Sequence, residues 1–146
     1  MEIRQATIED LDELGNLFDQ YRQSFQRDSD RAAATEFIGK RLTKQDSVFF
    51  MAIKDERCIG FVQLYPTFAS VAMQKIFILN DMFVLPTERH SGVATELVLA
   101  AEKYAKDEVA VRLLLEVEFS NNTAQKLYEK LGWEKDEVHY YYEKDL

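Results

Sequence analysis

Residues 85–98 read LPTERHSGVATELV. The stretch begins where the apolar run QKIFILNDMFVL (74–85) meets Pro86, and it ends in apolar residues at helical spacing. Proline does not continue a central strand. A strand therefore ends here, and the pattern predicts a helix from about Gly92 to Lys106. One of the chain's five glycines, Gly92, stands at the junction. The start of a helix carries backbone N–H groups without intrahelical partners, and its dipole favours negative charge. A glycine there lets an anion approach the backbone closely. Arg89 adds a charged donor, and Ala94 keeps the next contact small. Strand, glycine turn and helix together predict an anion-binding loop. The loop is neither a GxGxxG dinucleotide fingerprint nor a P-loop, which requires a lysine.

Upstream, EIRQAT (2–7) alternates as a first strand. TIEDLDELGNLFDQYRQSF (7–25) places Ile8, Leu11, Leu14, Leu17 and Phe18 at helical spacing, with Thr7 as N-cap. QRDSD interrupts it, and DRAAATEFIGKRLTK (30–44) predicts a second helix. SVFFMAIKD (47–55) and ERCIGFVQLYPTF (56–68) are β-branched and aromatic, and the polar KDER between them predicts a hairpin. Downstream come a strand VRLLLEVEF (111–119), a helix NTAQKLYEKLGW (122–133) closed by Gly132, and a last strand VHYYYEKDL (138–146). The order β-α-α-β-β-β-α-β-α-β combines antiparallel hairpins with a later strand-helix-strand crossover. It predicts an α/β fold with one mixed, mostly antiparallel sheet flanked by helices, in a single domain spanning 1–146.

With 18 basic and 26 acidic residues the net charge is −8. That argues against general nucleic-acid binding, which needs a basic face, and it suits a cationic small substrate as well as plain solubility. No apolar run is long enough to span a bilayer, and the N-terminus has no signal pattern. The lone cysteine, Cys58, forms no internal disulfide and reads as a core residue, so a reducing, cytoplasmic location is expected. His90 and His139 have no ligand-type spacing, so no metal is expected.

The segments NDMFVLPTERHSGVATELVLAAEKYA and LLLEVEFSNNTAQKLYEKLGW resemble the two signature segments of the GCN5-related N-acetyltransferase (GNAT) superfamily. The first carries the family's Arg/Gln-x-x-Gly-x-Gly/Ala loop as Arg89, Gly92 and Ala94. The second carries Asn121, Ala124, Leu127 and Tyr128, then Leu131, Gly132 and Trp133, with Trp in place of the usual Phe. The resemblance implies acetyl transfer from acetyl-CoA, as donor substrate, to a primary amine. It implies that the amides of His90, Ser91, Gly92, Val93 and Ala94 hold the pyrophosphate, and that the backbone of Met82, Phe83 and Val84 pairs with the pantetheine arm and polarises the thioester. Asn121 would contact the arm, or act simply as a helix N-cap. Tyr128 matches the tyrosine that serves as general acid toward the sulfur; packing is the alternative. The family's usual Glu or His base is missing from the strand. Asp81 is the nearest carboxylate, although strand alternation points it to the other face unless a bulge re-aims it. Glu116, Glu118, water or no dedicated base are the alternatives. Asp19, Asp28 and Asp30, with Tyr21, Phe25, Tyr65 and Phe68, suit a pocket for a small cationic amine such as a polyamine, amino acid or aminoglycoside. A protein lysine or N-terminus, and a non-catalytic CoA-binding sensor, are the rival readings. A homodimer through VHYYYEKDL is expected, with neither nucleic acid nor membrane as partner.

Overall fold

The hairpin expected at KDER forms because two consecutive residues there adopt left-handed backbone. Asp55 and Glu56 have φ of 50° and 60°, and they join β2 (Val48–Lys54) to β3 (Arg57–Ala69) across the pair Lys54↔Arg57. Two positive φ values in a two-residue loop match the right-handed twist of the flanking strands. In the computed structural model, which describes residues 1–146, β1 (Glu2–Gln5) pairs antiparallel with β2, and β4 (Gln74–Val84) pairs antiparallel with β3. β5 (Leu113–Leu114) lies parallel to β4, giving the sheet order β1-β2-β3-β4-β5. This is the mixed, mostly antiparallel sheet expected from the sequence.

Helices cover both faces. Alternation along β2 sends Phe49 and Met51 into a core with Leu14, Leu17 and Phe18 of α1 (Leu11–Ser24) and Ala34 and Ile38 of α2 (Arg31–Lys44). Phe50, on the opposite face, meets Tyr104 of α3 (Val93–Asp107) with ring centroids 5.5 Å apart, and Phe77 of β4 meets the same ring at 5.6 Å. Each such buried side chain contributes about 1.5–3 kcal/mol. α1 and α2 pack closely because Gly15 faces Thr35: a Cβ at Gly15 would lie 2.5 Å from Thr35 Oγ1 and 3.0 Å from its Cα. Thr7 is an N-cap as expected, but of a short 3-10 turn, Ile8–Asp10, that precedes α1. Ile8 is exposed rather than buried, because that turn carries it off the helix stripe.

The chain forms two compact units, Met1–Leu115 and Glu116–Leu146. The sheet and the first three helices belong to the first. The second contains α4 (Asn122–Lys130), which ends in a Schellman motif: Trp133 N–H donates to Tyr128 O and Gly132 N–H to Glu129 O, both at 3.0 Å, with Gly132 at φ 88°. The ring contact that usually accompanies this motif joins Tyr128 and Trp133, 5.5 Å apart.

Two expected strands need correction. The strand expected over 111–119 is confined to Leu113–Leu114, so Glu116 and Glu118 lie on no strand. The expected last strand, 138–146, is absent, and Val138, Tyr140, Tyr141 and Tyr142 are exposed. A run of aromatic residues makes a strand only where another strand completes the ladder. No ladder reaches residues 138–146, so the order is β-α-α-β-β-β-α-β-α.

Candidate functional site

β4 contains a bulge that decides where its side chains go. Gln63 pairs with Asp81 and Leu64 with Leu79, leaving Asn80 as the extra residue. Phe77 and Phe83 are an even number of positions apart, so an unbroken strand would place them on one face. Instead Phe77 packs on α3, while Phe83 joins the α1–α2 core. The bulge reverses the alternation and turns Asp81 toward α1, where Tyr21 Oη donates to its Oδ1 at 3.0 Å. The neighbouring Asn80 Nδ2 donates to Oδ2, also at 3.0 Å. The Tyr21 ring that holds this carboxylate belongs to an aromatic cluster with Phe25, Phe61 and Phe83, with neighbouring centroids 5.1 to 6.5 Å apart. Burial raises the pKa of the half-buried Tyr65 phenol, and the charge of Asp81 adds to the effect.

The bulge also frees an edge. β5 meets β4 only at Phe77 and Ile78, so from Leu79 to Val84 β4 has a strand on one side alone. Met82, Phe83 and Val84 lie on this free stretch. The Phe83 and Val84 side chains are buried, and Met82 is half-buried. Pro86 then opens a 3-10 turn, Pro86–Glu88. Arg89 braces the loop from the strand side: its Nε donates to Val84 O at 3.1 Å, and its guanidinium lies 5.9 Å from the Phe83 ring centroid. Ser91 Oγ donates to Glu88 O at 2.5 Å. His90 is exposed with φ 62°, and Gly92 follows at φ 89° as the N-cap of α3.

No side chain caps α3, and nothing stands within 4 Å of a Cβ built on Gly92. Glu96 N–H makes the first intrahelical bond, to Gly92 O at 3.1 Å. Val93 is buried and anchors the helix, and Ala94 is half-buried with only a methyl group. An uncapped first turn with open space before it suits an anion. The residues therefore fit a pyrophosphate group on the helix start.

In the second unit, Asn121 is the N-cap of α4, its Oδ1 accepting from Ala124 N–H at 3.1 Å. Tyr128 is buried, and burial pushes its phenol up to about 12. It thus stays protonated, and able to donate, through the physiological range. Glu116 and Glu118 are exposed. Asp19 is not a free pocket carboxylate: it is buried and bound by Ser29, the Asp30 amide, Arg22 and Gln23, and the Ser29 hydroxyl leads in holding its pKa below the usual range. Cys58 is inert, its thiol pushed up to about 12 by burial. No group of three or more metal-ligating side chains occurs, and no helix is long and apolar enough to cross a membrane.

The sequence named Asp81 and Tyr21 but not their contact. The signal was the polar pair Asn80-Asp81 inside an apolar run, which breaks alternation where the bulge lies. Comparisons with known proteins identify the family. A model of the acetyltransferase (GNAT) family matches residues 11–133. The chain is 44% identical over 142 residues to the uncharacterized N-acetyltransferase YhfO of Bacillus subtilis (strain 168), covering 96% of this chain and 95% of that protein. It is 26% identical over 147 residues to an aminoglycoside N(6')-acetyltransferase type 1 of Salmonella typhimurium, covering 99% of each. A crystal structure of a probable acetyltransferase is similar with a TM-score of 0.95 and 36% identity, covering 100% of this chain and 98% of that one.

Proposed function

Since the chain is an N-acetyltransferase belonging to the acetyltransferase (GNAT) family, we propose that it moves the acetyl group of acetyl-CoA onto a primary amine of a small molecule, by direct attack in a ternary complex. The observation that carries this reading is the uncapped start of α3 behind Gly92, beside the free edge of β4. Acetyl-CoA, when bound, supplies the activated thioester. The amides of residues 90–94 hold its pyrophosphate, with Arg89 securing the loop to β4. The backbone of Met82–Val84 binds the pantetheine amides as an added strand would, and one N–H there polarises the thioester carbonyl.

Asp81 takes the acceptor's ammonium and accepts its proton, since only the neutral amine attacks. The bulge that turns Asp81 beside the free edge favours it over Glu116 and Glu118. Tyr128 donates a hydrogen bond to the departing sulfur, with Asn121 shaping the start of the same helix. In this reading the two units act as one N-acetyltransferase domain, as the family match across both supports. The Asp81 carboxylate and the aromatic cluster of Tyr21 suit a cationic acceptor of polyamine, amino-acid or aminoglycoside type, and the aminoglycoside-acetylating relative supports the last. The exposed Val138 and Tyr140–Tyr142 support a homodimer, which light scattering at micromolar protein checks.

Release of free thiol from acetyl-CoA across a panel of amines tests the function. Turnover with small amines is expected. Turnover confined to peptide lysines or N-termini would make it a protein acetyltransferase, and binding without turnover a sensor.

A further inference from the structure

The carboxylate of Asp81 is held from another layer of the fold. Tyr21 lies on α1, sixty positions away in the chain, and its hydroxyl donates to Asp81 Oδ1 at 3.0 Å. The ring that carries this hydroxyl is packed on several sides: Phe25 at 5.1 Å edge-on, Phe61 at 5.7 Å edge-on, and Phe83 and Phe18 both at 6.0 Å. A phenol has few rotatable bonds, so a ring fixed by four neighbours fixes the position of its oxygen, and the hydroxyl hydrogen turns to its acceptor. Asp81, by contrast, sits next to a bulge residue, where the ladder is locally disrupted and the strand bends. Its other support, Asn80, belongs to the bulge itself and is exposed. The rigid donor is therefore Tyr21.

We propose that Tyr21 is a positioning residue for acetyl transfer: it holds one oxygen of Asp81 so that the remaining lone pairs face the acceptor amine. This rests on the reading of Asp81 as the group that takes the amine. No bond forms or breaks at Tyr21. The proton of the acceptor nitrogen passes to Asp81, and the phenol keeps its own. The aromatic packing of α1 thus sets the orientation of a group on β4.

The test is a double-mutant cycle of Tyr21→Phe and Asp81→Asn. The probes are spermidine, kanamycin and lysine methyl ester, and the amine with the highest kcat/KM serves for the cycle. Tyr21→Phe keeps the ring and its packing, so unchanged circular dichroism and Tm confirm the fold. A hydrogen bond to a charged partner is lost, and kcat/KM for the amine falls about tenfold. The KM for acetyl-CoA stays unchanged, as a general loosening of the fold would not allow. In the Asp81→Asn background the same change adds nothing. If Asp81→Asn lowers activity while Tyr21→Phe leaves it intact, or if the two losses simply add, the role of Tyr21 is overturned and that of Asp81 stands. If Asp81→Asn has no effect, or no probe turns over, the reading of the site falls and the proposal with it.

Discussion

Tyr128 is predicted to act in the reaction rather than in binding. Tyr128→Phe keeps the ring against Trp133 and the Schellman motif behind it. Turnover should fall about a hundredfold, the low end for a general acid, because a thiolate is already a fair leaving group. Acetyl-CoA affinity should barely change. With the phenol pushed up to about 12, the loss should be the same at every pH from about 7 to 10, which a pH–rate profile of both enzymes checks. At an ordinary phenol value the loss would instead shrink toward pH 10. Gly92→Glu places a bulky anion in the left-handed position at the helix start, and calorimetry should show acetyl-CoA binding weakened more than about tenfold, or about 1.4 kcal/mol. The placement of Gly92 and Arg89 at the turn into α3 was legible because a local spacing encodes it. The contact of Tyr21 with Asp81 was not, since nothing local links two residues sixty positions apart.

One helix start and one helix crossing carry the next predictions. Asp10 accepts from Thr7 N–H at 2.8 Å and from Arg4 at 2.8 and 2.5 Å, and the Arg4 guanidinium leads in lowering its pKa to about 2. A carboxylate lowered from the ordinary value near 3.9 stabilises the fold above that value, and loses the contribution as pH falls toward about 2. Arg4 is 39% exposed, so the pair contributes about 1–2 kcal/mol after solvent screening. Asp10→Asn should remove that amount at pH 7 and flatten the dependence of stability between about pH 4 and 2, as chemical denaturation reads. Gly15→Val should cost about 2 kcal/mol or more, because Thr35 must move away from the new side chain. The helices and the β2–β3 hairpin were legible from periodicity and turn chemistry. The fifth strand was overread because VRLLLEVEF is rich in apolar residues along its whole length, while only Leu113 and Leu114 pair with β4, at Phe77 and Ile78. The last strand was overread because its consecutive aromatic residues have high strand propensity, yet no ladder reaches them.

For the whole molecule, a ligand that binds only the folded chain must stabilise it. Acetyl-CoA at one hundred times its Kd should add about 2.7 kcal/mol. For a chain of this size the Tm should rise by about 5–10 °C. Gly92→Glu should show little of that rise, which thermal scanning with and without acetyl-CoA checks. The mixed α/β class was legible because hydrophobic patterning reports which faces are buried. That patterning loses phase at Asn80, and the loss has a genetic consequence. β4 behaves like a message with a deliberate frameshift: residues up to Leu79 are read in one phase, and Asp81, Met82 and Phe83 in the other. Deleting the single codon for Asn80 would remove the extra residue and leave an ordinary strand, in which Phe77 and Phe83, now five positions apart, still face opposite sides and Asp81 still faces Tyr21. A substitution at Asn80 keeps the frame and loses only one donor to Asp81. The position should therefore accept many residues and its own deletion as well, a pattern that a library of substitutions and in-frame deletions along 74–84 would display directly.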